Sequence, residues 1–175
     1  SATQISAGND FSCALLSDQS VKCWGYNNSG QLGIGNTAVM GDGAGEMGDS
    51  LPNVPLGQSA VEIGTGYGFA CARLQNKSVK CWGSNSWGQL GLGHANSIGD
   101  QAGEIAALTG VNLGDGVLAE KMSVTQDGVC VITNSGSVKC WGRNELGQLG
   151  VGHTNHIGDG GGEMGIALFL FRSAF

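Results

Sequence analysis

The stretch Val21–Gly33, VKCWGYNNSGQLG, returns as VKCWGSNSWGQLG over Val79–Gly91 and as VKCWGRNELGQLG over Val138–Gly150. Ten of its thirteen positions are identical in all three windows. Self-similarity at a fixed period marks an array of structural units, each burying its apolar face against a neighbour. The register extends upstream through Ile5, Ile63 and Met122 and downstream through Asp42, Asp100 and Asp159. It divides the chain into repeats 1–62, 63–121 and 122–175, the third ending in a divergent apolar tail.

The elements inside a repeat are short and punctuated by glycine. Before the shared window each repeat reads CALLSDQSVKC, CARLQNKSVKC or CVITNSGSVKC, two apolar-leaning runs around a polar centre, which is a hairpin signal. Nine residues separate the cysteines, and an odd number favours a three-residue loop. In the third repeat that loop is Asn134-Ser135-Gly136, with glycine where a left-handed conformation is needed; Gln19 and Lys77 hold the same slot in the other two. No segment carries a sustained 3.6-residue period, so the fold class is all-β.

Composition narrows the function. The 175 residues include 33 glycines, far above the usual ~7%, yet 41% are hydrophobic, enough to support a core. A net charge of −6 supplies no electrostatic footprint for phosphate backbones, and no nucleic-acid partner is expected. The longest apolar run is Ile166–Phe171, far short of the ~20 residues of a membrane span.

The string GxxxxCALxxxxxVKCWGxNxxGQLGxG resembles the repeat of the regulator of chromosome condensation family, particularly its cysteine-containing microbial branch. The resemblance covers essentially the whole chain. It implies β-propeller blades of four short antiparallel strands, with three repeats forming a partial propeller or arc; family propellers usually carry seven blades, so the repeats are expected to belong to a longer chain or a larger assembly. The family's ultraviolet-sensing branch carries a Gly-Trp-Arg-His-Thr signature. The corresponding stretches here are AGNDFS, GTGYGFA and VTQDGV, so a tryptophan chromophore cluster is not expected. The repeated Trp24, Trp82 and Trp141 are read instead as packing between blades.

Cys13 and Cys23, Cys71 and Cys81, and Cys130 and Cys140 each stand ten residues apart. Residues facing across a hairpin at a non-hydrogen-bonded site have Cα atoms ~4.5 Å apart, inside the range a disulfide tolerates. Three cross-strand bridges are therefore expected; the alternative is buried thiols acting as small hydrophobes. Zinc is disfavoured, because nine intervening residues is not a ligand-pair spacing. Bridges place the chain in an oxidising compartment: extracellular, cell-surface or periplasmic.

Other candidate sites are weaker. Paired carboxylates recur four residues apart in glycine loops, as Asp42/Glu46, Asp100/Glu104 and Asp159/Glu163. Turn asparatates are the leading reading, and weak calcium binding is the alternative. The sequons at Asn27 and Asn76 are candidate glycosylation acceptors, Asn76 the better one because it falls at a hairpin tip. No GxSxG, HExxH, phosphate loop or unpaired cysteine nucleophile is present, and repeat one has Asn36 where the others have His94 and His153. No catalytic residue and no cofactor are assigned, and an enzyme is not expected.

Recognition then falls to the variable positions of WGxNxx. Of these, Tyr26, Asn28, Trp87, Arg143 and Glu145 are the candidate partner-binding residues, displayed on loops of a rigid frame. The leading reading is a non-enzymatic, extracytosolic module for protein–protein recognition. A structural subunit of a fibre or surface assembly, made of further copies joined end to end, comes second. Guanine-nucleotide exchange, by family analogy, comes third. A bridge closing about eleven residues stabilises by about 2.8 kcal/mol. Reduction is therefore expected to lower the thermal midpoint by several degrees; an unchanged melting curve, or six titratable thiols in the native protein, contradicts the bridges.

Overall fold

A computed structural model describes residues 1–165 and 168. They form three antiparallel three-stranded sheets, each a simple meander. The first contains β1 (Ala2–Ala7), β2 (Phe11–Leu16) and β3 (Val21–Gly25). The second contains β4 (Ala60–Thr65), β5 (Phe69–Leu74) and β6 (Val79–Gly83), and the third β7 (Ala119–Val124), β8 (Gly128–Thr133) and β9 (Val138–Gly142). The first strand of each sheet carries the same register shift, between Ala2 and Gln4, Ala60 and Glu62, and Ala119 and Lys121. The repeat boundaries at 62/63 and 121/122 fall inside β4 and β7, because Ile63 and Met122, the first residues of the shared register, stand in mid-strand.

The hairpins follow the expected loop chemistry. Gln19 N–H donates to Leu16 O and Leu16 N–H to Ser20 O, both at 2.9 Å, closing a three-residue loop; the 74–78 and 133–137 loops repeat the pattern. Gln19, Lys77 and Gly136 have φ of 67°, 66° and 78°. This is the left-handed region, which glycine enters without the Cβ penalty that glutamine and lysine bear.

A fourth strand is expected in each sheet, but the described residues hold only a single antiparallel bridge there: Gly25 to Met40, Gly83 to Ile98 and Gly142 to Ile157. Both backbone bonds form, Gly25 N–H to Met40 O at 2.7 Å and Met40 N–H to Gly25 O at 3.2 Å. The ladder then stops, because the following glycines (Gly41, Gly99, Gly158) take φ of 99–109° and turn the chain away. Outside the sheets lie one 3-10 turn at Gly48–Ser50 and one helical turn, α1, at Glu104–Ala107. No helix among the described residues is long and apolar enough to cross a membrane. Apart from Leu168, which is buried in the core between the second and third sheets, the residues of the apolar tail after Gly165 lie outside the described set.

Cores form between sheets rather than within them. Cys13, Cys23 and Leu32 of the first repeat pack on Ile63, Ala70, Ala72 and Trp82 of the second. One repeat further on, Cys71, Cys81 and Leu90 pack on Val129, Val131 and Trp141. The cysteines face each other in register and all three bridges are formed, with Cα separations of 4.1, 4.0 and 4.1 Å. The first two bridges thus lie on the face that their sheet turns toward the following repeat.

The asparagine of WGxN organises the turn after the third strand. Asn85 is fully buried; its Nδ2 donates to His94 O at 2.6 Å and Asn96 O at 3.0 Å, while its Oδ1 accepts Leu90 N–H at 2.9 Å. Asn27 and Asn144 make the same three bonds. Replacing Asn85 by alanine removes three hydrogen bonds of about 1 kcal/mol net each and orphans buried backbone groups, so a loss of about 3 kcal/mol or more is expected. Denaturant unfolding of the Asn85→Ala variant measures it, and a loss below about 1 kcal/mol contradicts the assignment.

Candidate functional site

The shared residues of the window hold neighbouring repeats together, and the variable ones lie on top. Trp82 Nε1 donates to Gln31 O at 3.0 Å and Trp141 Nε1 to Gln89 O at 3.1 Å, with both rings fully buried at the junctions. This is the packing role expected of the repeated tryptophans, shown for Trp82 and Trp141; Trp24, on repeat one, is half-buried. Gln31, Gln89 and Gln148 each use Oε1 to accept the main-chain N–H two residues earlier, at Ser29, Trp87 and Leu146. Those three positions are variable slots, so the loop is tied through their backbone and leaves their side chains free.

At the junction of repeats two and three the variable side chains meet. The Trp87 ring lies 4.9 Å from the Arg143 guanidinium carbon and contacts His156 edge-on, the centroids 4.8 Å apart. A guanidinium over an indole face is attracted by the ring quadrupole, by about 0.5–1 kcal/mol at a partly exposed site. Arg143 is held from behind by Asp127 at 3.3 Å and by Glu145 at 2.5 Å. Hydrogen bonds donated to Glu145 first and to Asp127 second raise the arginine's pKa further, so it is a fixed cation. His156 Nδ1 accepts Asn144 N–H at 3.1 Å, which fixes the ring's orientation. Beside this cluster is an open hollow of about 390 Å³ lined by Glu145, Thr154, Asn155, His156, Asp159 and Glu163.

The structure therefore brings Trp87, Arg143 and Glu145 together and places Tyr26 and Asn28 elsewhere, on repeat one. There the exposed Tyr26 hydroxyl accepts a hydrogen bond from Asn28 Nδ2. Asp127 and His156 belong to the cluster but escaped the sequence reading. His156 stands where the other repeats carry Val39 and Ser97, a variable slot outside the conserved window, and that variability was the one available signal.

The acidic glycine loops are clasps. Glu104 Oε2 accepts Gly99 N–H at 2.7 Å and Gln101 N–H at 3.0 Å. Glu46 does the same for Gly41 and Gly43, and Glu163 for Gly158 and Gly160. One carboxylate oxygen of each proposed calcium pair is thus committed to the backbone. Among the described residues no group of three or more His, Cys, Asp or Glu is arranged to hold a metal. Of the two sequons, Asn27 is fully buried with both amide hydrogens bonded, so its nitrogen is inaccessible in the folded chain. Asn76 is exposed at its hairpin tip, with Oδ1 accepting from Ser78 N–H and Oγ.

Taken together, three disulfide-stapled sheets joined through a tryptophan-to-carbonyl bond define a tandem array of propeller-type β-repeats. The chain belongs to the regulator of chromosome condensation (RCC1) repeat family, whose model matches residues 2–31, 60–89 and 121–148. It is 33% identical over 152 residues to the ultraviolet-B receptor UVR8 of Arabidopsis thaliana, covering 86% of this chain and 31% of the receptor. It is 34% identical over 151 residues to the human probable E3 ubiquitin-protein ligase HERC6, covering 86% of this chain and 14% of the ligase. The chain thus spans a third or less of these relatives. Among solved structures it is similar to human WBSCR16, with a TM-score of 0.60 at 20% identity over 84% of this chain and 34% of that one. Prp20p of Saccharomyces cerevisiae, whose crystal structure was reported with its binding properties to Gsp1p and histones, gives 0.60 at 19% identity over 85% and 32%.

The clasps make a pH prediction. Glu46 is held below the usual carboxylate range by the N–H groups of Gly43 and Gly41. For Glu163 burial works the other way, but the N–H bonds from Gly160 and Gly158 outweigh it and its pKa is also lowered. A depressed folded-state pKa means the clasp contributes fully above the unfolded value near 4.5 and is lost as pH falls through the lower folded value. The amide resonances of Gly43 and Gly160 should therefore titrate below pH 4.5; movement centred above it contradicts the clasp.

Proposed function

We propose that the chain is a non-enzymatic recognition module working without a resident cofactor in an oxidising, extracytosolic compartment. Its partner is a protein segment presenting a basic side chain. The observation that carries this reading is the Trp87–Arg143–His156 cluster beside the acidic hollow. An aromatic platform offers contact area at small entropic cost, and Glu145, Asp159 and Glu163 give the hollow an anionic wall for a lysine or arginine. Variable loops on an invariant frame fit recognition, because chemistry changes there without cost to the fold. The net charge of −6 and the three bridges favour this reading over guanine-nucleotide exchange, which rests on family analogy alone.

A peptide array in which lysine- and arginine-bearing sequences compete with glutamate-bearing ones tests the proposal. Basic peptides should be retained, with affinity falling as salt rises. Trp87→Ala and Glu145→Lys should each weaken retention at least fivefold, while Tyr26→Ala leaves it unchanged. Equal retention of both peptide classes, or indifference to both substitutions at the cluster, overturns it.

A further inference from the structure

His156 joins the cluster through two contacts that depend on its charge. Its Nδ1 accepts Asn144 N–H at 3.1 Å, so the neutral ring carries its proton on Nε2. Its ring meets the Trp87 indole with centroids 4.8 Å apart and 69° between the planes. The other repeats carry Val39 and Ser97 in this slot, neither of which titrates.

The charges around the ring are unequally placed. Arg143 shares its aromatic partner, the guanidinium carbon lying 4.9 Å from the Trp87 ring, with Asp127 bonded behind it. Glu145, Asp159 and Glu163 line, together with His156, the hollow of about 390 Å³, whose walls hold these three carboxylates and no lysine or arginine. His153 stands on the same loop as His156, its carbonyl accepting Asn144 Nδ2 at 2.7 Å. Repeat two faces the ring with the uncharged Trp87. The site is not on an end face of the array. Ser86, Ala95 and Asn96, the repeat-two counterparts of Glu145, Thr154 and Asn155, are exposed although repeat two has a neighbour on either side.

Histidine is the side chain that gains its charge between about pH 5 and 8. A proton from solvent enters His156 at Nδ1, since Nε2 already carries one. Nδ1–H and Asn144 N–H then confront each other as two donors, and the bond that orients the ring is lost. Arg143 repels the imidazolium and the three carboxylates attract it.

We infer that His156 is a proton-operated latch: neutral, it braces Trp87, and charged, it leaves Trp87 and Asn144 and turns into the hollow. There it occupies the anionic wall that a partner's basic side chain would use, so acid shuts the site from within. This consequence rests on the recognition reading; the movement of the ring belongs to the free chain and does not.

Nuclear magnetic resonance of the unliganded 175-residue chain between pH 8 and pH 5 tests the latch. The Asn144 amide and the Trp87 indole N–H should move in one step that tracks the His156 ring protons. Cross-relaxation between the His156 and Trp87 rings should vanish on the acid side. His156→Ser installs the residue that repeat two carries in this slot, so it should fold as the wild type does and leave both resonances flat. The Asn96 amide is the internal control: it donates to His94 Nδ1 at 3.2 Å and should follow His94 in wild type and variant alike. Retention of histidine-free basic peptides should fall at least fivefold from pH 7.5 to pH 5.5, both above the usual carboxylate range, and should not change in His156→Ser. Trp87 and Asn144 resonances indifferent to His156, or a ring contact that persists in acid, overturns the proposal. So does an equal pH dependence in the variant, or equal peptide retention by the wild type at both pH values. Peptides retained at neither pH strike the recognition reading alone, and the resonances of the free chain still decide the latch.

Discussion

Everything in this fold rests on a neutral amide buried where water cannot reach. A short loop that leaves a β-strand and doubles back has orphan N–H and C=O groups facing inward, each costly if unpaired. Asn27, Asn85 and Asn144 satisfy three such groups apiece from a single side chain. Asparagine is suited to this because one planar group both donates twice and accepts; aspartate would only accept, and serine is too short to span the loop. Once the loop is set, the glutamine carbonyl four residues on points at the next sheet, and the tryptophan of that sheet has its acceptor. Local closure and inter-repeat docking are therefore one device.

The lysines of VKCWG show the same economy under more strain. Lys80 Nζ donates to Leu56 O at 3.0 Å and Ile105 O at 3.4 Å, and Lys139 Nζ to Leu113 O at 2.8 Å and Gly165 O at 2.7 Å. Carbonyl dipoles take the place of a counter-ion, and burial lowers the pKa of both amines. Lys22, on the first repeat, bonds Gly48 O near the surface. An ammonium in this position gathers two separate loops onto the back of its strand, and a purely apolar side chain would leave those carbonyls unpaired.

What could be read from the sequence was whatever recurs. The period, the hairpin loops with left-handed Gln19, Lys77 and Gly136, and the cross-strand cysteines all follow from local spacing and turn chemistry, and the structure reproduces them. The fourth strand did not form as a ladder among the described residues, since a glycine immediately after each bridge ends the pairing, a fact about φ that composition does not express. The partner-binding set was legible only in part. Trp87, Arg143 and Glu145 stood out as variable, but that Arg143 covers Trp87 depends on the stacking of one repeat on the next. His156 and Asp127 join through the same stacking. The acidic pairs of the glycine loops read chiefly as turn residues, with weak calcium binding the alternative; that their glutamates clasp the loop was not legible, because the N–H groups they bind lie three and five residues back along the chain.

The glutamine that fixes each loop bonds the main chain of a variable residue and asks nothing of its side chain. Serine, tryptophan and leucine occupy that one slot in turn without a change in loop geometry. Structural information and chemical identity are thus carried by different atoms of the same residue. Such a surface can accumulate substitutions on one ledge of the molecule while the folding code beneath is copied unaltered from repeat to repeat. Duplication of a repeat supplies, at a stroke, a sound frame and a fresh blank face, which lets a lineage explore new binding chemistry without first having to solve folding again.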